Sequence, residues 1–286
     1  MRVFEALNEL TRRFSACGIE SARTDARLLT AFAMKLSPVS LKMHPETEIS
    51  EEALKKLQEY AARRENREPV SKILGTRGFW SLDFKVSADV LDPRPDSETI
   101  IETVLSLFPD RSSPLEVLDL GTGSGCLALS VLAEYRNASA TGVDVSDKAL
   151  SIAIENAKTN GLSDRFFSVC ADWRKDGWTS FLKNQGYDLI ISNPPYIAES
   201  ERESLEPEVL NFDPPEALFG GADGLFAYRR LAPFLPVLLK RGGAGVFEFG
   251  KGQENKVKEI FESVGLKFGG FGTDLGGIVR CITVFC

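Results

Sequence analysis

Histidine is almost absent from this chain: its single copy, His44, sits in a Met-His-Pro loop. A lone loop histidine reads as a solvated surface residue, so catalysis built on imidazole has no foothold here. Cysteine is sparse too. Cys17, Cys126, Cys170, Cys281 and Cys286 are odd in number and scattered, with no Cys-x-x-Cys pair. That pattern indicates neither a disulfide framework nor a zinc or other metal site, and reads as reduced thiols of a cytosolic protein. No apolar run approaches the length of a membrane span, and from Arg2 onward the N-terminal residues alternate charged and apolar without a signal-like core. A soluble cytoplasmic chain with no membrane partner is the expectation. Excess positive charge is also missing: 34 Lys and Arg stand against 41 Asp and Glu, a net charge of −7. A polyanion is therefore not the indicated partner, and no stable nucleic-acid complex is expected.

What is present fills a large core. With 286 residues and 43% hydrophobic side chains, the chain has the length for two domains, or for one large α/β domain with an appendage. Residues 1–74 carry helical periodicity, with Phe4, Leu7, Leu10 and Phe14 on one face and Ala26, Leu29, Ala33 and Leu36 continuing it after Gly18. Ser37-Pro38 is read as closing the second helix, and Ser50 as the N-cap of a helix running to about Arg67. This small bundle contains no acid/base cluster and reads as a docking or structural domain. Residues 75–92 alternate at period two through Phe79–Leu82 and then Phe84, Val86, Ala88 and Val90, which predicts a β-hairpin linker. The run Asp92-Pro93-Arg94-Pro95-Asp96-Ser97-Glu98 reads as a rigid hinge, with Ser97 a candidate cap for a helix over 98–108.

Residues 93–286 alternate strand and helix. Strands are expected at 115–120, 138–143, 166–169, 187–191, 245–249, 266–271 and 280–285, and helices at 124–134, 147–160, 225–239 and 254–264. The fold class is therefore α/β: a seven-stranded, mostly parallel Rossmann-like sheet with an antiparallel terminal pair, an N-terminal helical bundle and a hairpin linker. In such sheets ligands bind at the carboxyl ends of the strands.

Three strand ends carry chemistry. After the first strand comes Gly121-Thr122-Gly123-Ser124-Gly125, a Gly-x-Gly-x-Gly loop opening a helix. Glycine is needed where backbone approaches a ligand or φ turns positive. This compact spacing, unlike the longer dinucleotide fingerprint, suits the amino-acid moiety of S-adenosylmethionine (SAM). Asp144 ends the second strand, where a carboxylate accepts ribose hydroxyls; its bland alternative, capping the next helix, falls to Ser146. Asp172 and Trp173 follow the third strand and would flank an adenine, Asp172 accepting from the exocyclic amine and Trp173 packing on the ring. The fourth strand runs into Ser192-Asn193-Pro194-Pro195-Tyr196-Ile197. There Asn193 would stand beside the glycine loop, the prolines would fix the backbone, and Tyr196 would wall the cleft. A site without a charged base suits a substrate nitrogen whose two N–H groups need acceptors. The Asn193 side-chain oxygen and the Pro194 carbonyl supply two, aiming the nitrogen at a sulfonium methyl.

On these residues the sequence resembles the class I SAM-dependent methyltransferases of the Asn-Pro-Pro-Tyr branch. More narrowly, it is similar to the PrmC/HemK family, which methylates the glutamine amide in the Gly-Gly-Gln loop of class I peptide chain release factors. Pro93-Arg94-Pro95-Asp96-Ser97-Glu98, Asp119–Gly125, Ser192–Ile197, Gly220–Leu225 and Glu248–Gln253 carry the likeness. The resemblance implies SAM as donor and S-adenosyl-L-homocysteine as product. It places Gly121 to Gly125, Asp144, Trp173 and Asn193 around the donor, and Asn193 to Tyr196 around the substrate glutamine. A monomer is the expectation, and the leading reading has the cleft between the helical and sheet domains admitting the release-factor loop. Asp92 and Lys72-Ile73 depart from the family's usual residues, and Arg280 receives no role. Glu248 is read equally as a cleft residue and as an N-cap or surface carboxylate. The alternative within catalysis is methylation of the adenine exocyclic amine in DNA or RNA. It would need a basic track, and Arg12, Arg13, Arg63, Arg64 and Arg67 read rather as solvated helix faces. A non-catalytic SAM- or nucleotide-binding regulator is the third reading, disfavoured because a sensor has no use for Asn193–Tyr196.

Overall fold

The computed structural model describes residues 1–182 and 186–286, in two compact units: 1–76 with 206–212, and 77–205 with 213–286. The first unit is helical: α1 (Val3–Ala16), α2 (Ala22–Ala33), α3 (Pro38–Met43), α4 (Glu51–Glu65) and α5 (Val70–Leu74). Its core joins Ala6, Ala26 and Ala61 with Leu10, Phe14, Leu29 and Leu57, all buried. Ser50 caps α4 by accepting from the Ala53 amide at 3.2 Å. Two details correct the sequence reading. The buried stripe of α1 is Val3, Ala6, Leu10 and Phe14, which rotates Phe4 outward. Ser37-Pro38 does not close α2 but opens α3: Ser37 Oγ accepts from the Ser40 amide, and Pro38 takes the first helical position, where its missing N–H costs nothing.

Of the arginines read as a solvated helix face, Arg12 and Arg63 are exposed as expected, but Arg64 is not, and Arg13 and Arg67 are only partly exposed. Arg64 is buried, its Nε donating to Asp25 at 2.8 Å and its guanidinium to Glu208 at 2.9 Å, while Arg67 reaches the other Glu208 oxygen at 2.7 Å. Arg13 is held by Glu65, and Arg63 by Glu68. A buried guanidinium requires such partners, since leaving one unpaired costs about 3–5 kcal/mol. Glu208 comes from the helix Pro207–Phe212, so the chain leaves the second unit briefly to complete the first.

The second unit, whose first helices are α6 (Glu98–Leu107) and α7 (Cys126–Glu134), is built on a seven-stranded sheet: β3 (Glu116–Leu120), β4 (Ser139–Asp144), β5 (Phe166–Cys170), β6 (Tyr187–Ser192), β7 (Leu239–Glu248), β8 (Lys267–Thr273) and β9 (Val279–Phe285), in the order β5-β4-β3-β6-β7-β9-β8. All neighbours are parallel as far as β7; β9 runs antiparallel between β7 and β8. The central strands are buried on both faces. Val117, Leu189, Ile191 and Val246 join one core layer, and Leu118, Leu120, Ile190 and Phe247 the other. This explains why they read as continuous apolar runs.

The hairpin preceding the sheet is shorter than expected: β1 (Thr76–Phe79) and β2 (Leu82–Lys85) meet at Trp80-Ser81, with Trp80 at φ +54°. It is bonded to the sheet unit through Trp80 Nε1 to Glu134 (2.8 Å) and the Lys85 amide to Asn156 (2.7 Å). The period-two pattern continues past β2 without a strand, because Val86 and Val90 bury against Ala149 and Ile152 of α8 (Asp147–Thr159) instead of pairing. The helix expected over 225–239 is interrupted. Pro233 and Pro236 break it into Phe226–Leu231, a 3₁₀ turn and Leu235–Leu238, since each proline removes a helical N–H. Among the described residues no helix is long and apolar enough to cross a membrane.

Candidate active site

The strand order reverses at β3/β6, so these two carboxyl ends diverge from a common crevice. Ser192 ties them together, its hydroxyl donating to the Leu120 carbonyl at 2.6 Å. A cleft of about 570 Å³ opens there, lined among others by Gly121, Gly123, Asp144, Trp173, Asn193 and Pro195.

The glycine loop divides its labour. Gly121 (φ +77°) and Gly123 (φ +54°) face the cleft. A Cβ on Gly121 would stand 3.0 Å from the Trp173 ring, so the glycine lets that indole close against the loop. Thr122, Ser124 and Gly125 are not in the cleft lining. Thr122 is buried, its hydroxyl donating to Asp119 at 2.7 Å; Ser124 is buried; and Gly125 (φ +82°) begins α7 (Cys126–Glu134) against Ala153 and Leu129. Burial pushes the Asp119 carboxyl up to about 7, against the pull of Thr122 and the Ala128 amide.

Asp144 closes the cradle. One oxygen accepts the Gly123 amide and the other the Ser146 amide, each at 2.9 Å. Ser146 caps α8 through the Ala149 amide, leaving Asp144 free of that duty. Burial raises the Asp144 pKa while the backbone amides draw it down. Asp172 also lines the cleft, but Arg174 holds its carboxylate through Nε at 2.8 Å and a terminal nitrogen at 3.1 Å. Trp173 stands between the Gly121 loop and the apolar layer beneath.

At the end of β6, Asn193 is half-buried in the cleft wall, and its Nδ2 donates to Ser97 Oγ at 3.0 Å. Ser97 makes no helix-capping bond, contrary to the sequence reading; its hydroxyl is committed to the site. Pro194 is buried and Pro195 lines the cleft. The Tyr196 hydroxyl donates to Glu248 Oε1 at 3.2 Å. Glu248, the last residue of β7, is 2% exposed, which removes the surface or N-cap reading. Arg280, given no role from sequence, pairs with Asp274 at 2.6 Å and Asp96 at 2.7 Å.

The segment 218–224 braces this strand end from below. Ile197 and Gly220 exchange backbone bonds with Leu218 and Ile197, and Gln253 Nε2 donates to the Tyr196 carbonyl at 2.9 Å. A Cβ on Gly220 would fall 2.5 Å from the Pro195 carbonyl oxygen. Sequence reasoning from strand ends missed this brace, and also missed Ala88–Leu91, Phe219 and Phe226, which line the cleft. Phe226 carried a signal only in three dimensions: it is a large apolar ring left 48% exposed at the opening. Asp213 was missed as well. Its fully buried carboxylate accepts the Asp92 amide (3.2 Å) and Arg94 (2.5 Å), holding the proline-rich hinge in place.

Residues 5–75 match the family described as PrmC N-terminal domain, and residues 95–211 the methyltransferase small domain. The release factor glutamine methyltransferase of Rhodospirillum rubrum is 43% identical over 270 residues, 94% of this chain and 81% of that protein. Its namesake in Cereibacter sphaeroides is 39% identical over 284 residues, 99% and 98% of the two chains. Among solved structures, a methyltransferase from Pyrococcus furiosus superposes with a TM-score of 0.53 at 18% identity, covering 80% of this chain and 98% of that one, a likeness of fold.

Proposed function

The chain belongs to the release factor glutamine methyltransferases, and from that membership we propose how its own residues perform the reaction. It is an enzyme that methylates a protein glutamine, and we read the substrate as the Gly-Gly-Gln loop of class I release factors. The observation that supports this reading most is the placement of Asn193 beside the Gly121–Gly123 loop at the β3/β6 crevice, with no charged base among the groups assigned to hold the nitrogen.

The residues present fit SAM: two cleft-facing glycines at positive φ, a carboxylate at the end of β4 and an indole against the loop form a cradle of suitable size. When bound, SAM supplies an electrophilic methyl group on a sulfonium. In this reading Gly121 and Gly123 let backbone approach the donor. Asp144 accepts ribose hydroxyls, and Asp172 and Trp173 flank the adenine, Asp172 through lone pairs that Arg174 does not use. Asn193 Oδ1 and the Pro194 carbonyl accept the two N–H groups of the substrate amide. That fixes the amide plane so the nitrogen faces the methyl in line. Methylation makes the nitrogen more acidic, so its proton can leave late to water. Tyr196 walls the amide, and the helical unit offers a second surface to the release factor. The reading takes the enzyme as a monomer with SAM as its donor. Adenine methylation is not favoured, since Arg13, Arg63, Arg64 and Arg67 are neutralised by carboxylates instead of forming a phosphate track.

Labelled methyl from SAM is expected in a class I release factor carrying its loop glutamine, and neither in the Gln→Ala factor nor in duplex DNA. Label in DNA would overturn the reading. Asp144→Ala is expected to weaken SAM binding by about 10–100-fold by calorimetry, the range for losing charge-assisted hydrogen bonds. Unchanged affinity would remove Asp144 from the donor site.

A further inference from the structure

An asparagine amide is useful as an acceptor only if its oxygen, and not its nitrogen, faces the substrate. The two ends are nearly isosteric, so something must decide which way it points. Asn193 Nδ2 lies 3.0 Å from Ser97 Oγ. A serine hydroxyl both donates and accepts, and settles nothing by itself. The Glu248 carboxyl, whose pKa the Ser97 hydroxyl pulls down, accepts the Tyr196 hydroxyl through Oε1, and its Oε2 is buried with no hydrogen-bond partner. An ionised carboxylate can only accept. Drawing the Ser97 proton toward that open oxygen would leave the Ser97 lone pairs to take the Asn193 Nδ2 hydrogen and turn Asn193 Oδ1 toward the cleft. We propose that Glu248 and Ser97 are positioning residues that set the polarity of the Asn193 amide for methyl transfer. The proposal rests on the acceptor role given to Asn193 above.

The surroundings suit a polarity switch. Ser97 and Glu248 are each 2% exposed, so water does not substitute for either. Burial pushes the Glu248 carboxyl up to about 7, with the Ser97 and Tyr196 hydroxyls pulling it back, Asp96 raising it and Arg280 lowering it. The remaining titratable groups nearby are Tyr228, whose hydroxyl donates to the Glu248 backbone carbonyl, and the thiols Cys126 and Cys281. Protonated Glu248 can donate, and the chain of bonds then loses its enforced direction. Turnover is therefore expected to fall as pH drops through about 7.

The test uses the full-length enzyme, SAM and a release factor, with KM and kcat measured from pH 5.5 to 9. Ser97→Ala and Glu248→Gln are each expected to lower kcat about 10–100-fold while SAM affinity stays within about 3-fold. Ser97→Thr, which keeps the hydroxyl, should recover most of the loss. Glu248→Gln should also abolish the acid limb; Asp119, which titrates in the same range, would leave that limb intact. Finally, Ser97→Ala should cost little further in an Asn193→Ala background, because it acts through that side chain. Wild-type turnover in Ser97→Ala and Glu248→Gln with a dead Asn193→Ala would overturn the relay and leave the Asn193 reading standing. Normal turnover in Asn193→Ala would overturn that reading itself. Full additivity in the double variant would also overturn the relay.

Discussion

Asn193→Ala is expected to bind SAM within about 3-fold of the wild type and to lose about 10²–10³-fold or more in kcat. The size follows from what the side chain does. One preorganised hydrogen-bonding group at a reacting centre contributes about 2.7–4 kcal/mol to the barrier, with 1.36 kcal/mol for each factor of ten. Without an acceptor at Asn193, the substrate amide keeps only the Pro194 carbonyl and can rotate about that bond, so the nitrogen no longer stays in line with the methyl. The donor cradle should be spared, because Gly121, Gly123 and Asp144 are held by bonds that do not involve Asn193: the Gly121 amide to the Val143 carbonyl at 2.8 Å, and the Gly123 amide to Asp144 at 2.9 Å. Calorimetric SAM affinity together with single-turnover transfer separates the two effects. A variant that turns over normally would mean the acceptor lies elsewhere.

The second large effect is expected at a residue outside the cleft lining. Gly224 sits at φ +73°, and a Cβ there would fall 2.1 Å from the Tyr196 carbonyl oxygen and 2.5 Å from Gln253 Nε2. The carbonyl is backbone and cannot step aside as a flexible side chain would. Gly224→Ala must therefore displace the Asn-Pro-Pro-Tyr segment or the 220–224 loop. A displacement of 1 Å at reacting groups costs about 10²-fold in rate, and overpacking of this kind costs about 1–3 kcal/mol of stability. The expected result is a kcat about 10²-fold lower with a Tm several degrees lower. Gly161→Ala is the control: at φ +69° it carries the same left-handed strain, but nothing lies within 4 Å of the added Cβ. It should lose a little stability and keep its turnover. Equal losses in the two variants would mean that strain, not the clash with Tyr196, is responsible.

Both predictions turn on the same division between chain and fold. The central strands, the Gly-x-Gly-x-Gly loop, Asp144 and the Asn-Pro-Pro-Tyr segment were legible because each is a local pattern with a local cause. Apolar runs buried on both faces make parallel strands, positive φ demands glycine, and strand ends in a doubly wound sheet meet one crevice. The same local logic misplaced Phe4 by one residue on its helix, carried the β2 strand into Val86–Val90, and ran a helix through Pro233 and Pro236. In each case burial against a distant element, or a missing N–H, overrode the period.

What the amino-acid sequence determined by itself, then, is the α/β class, the order of elements and the side chains that stand at the strand ends. Only the tertiary structure decided which of those side chains are committed to one another. Ser97 looked like a helix cap and instead takes the Asn193 amide; Glu248 looked equally like a surface carboxylate and is buried against Tyr196; Gly224, marked in the sequence only as part of the Gly220–Leu225 likeness, is packed against the Tyr196 carbonyl. These pairings join residues 96, 52 and 28 positions apart. No periodicity or spacing rule reaches that far, because hydrogen bonds and steric contacts depend on distances that exist only once the sheet has brought β3, β6 and β7 side by side.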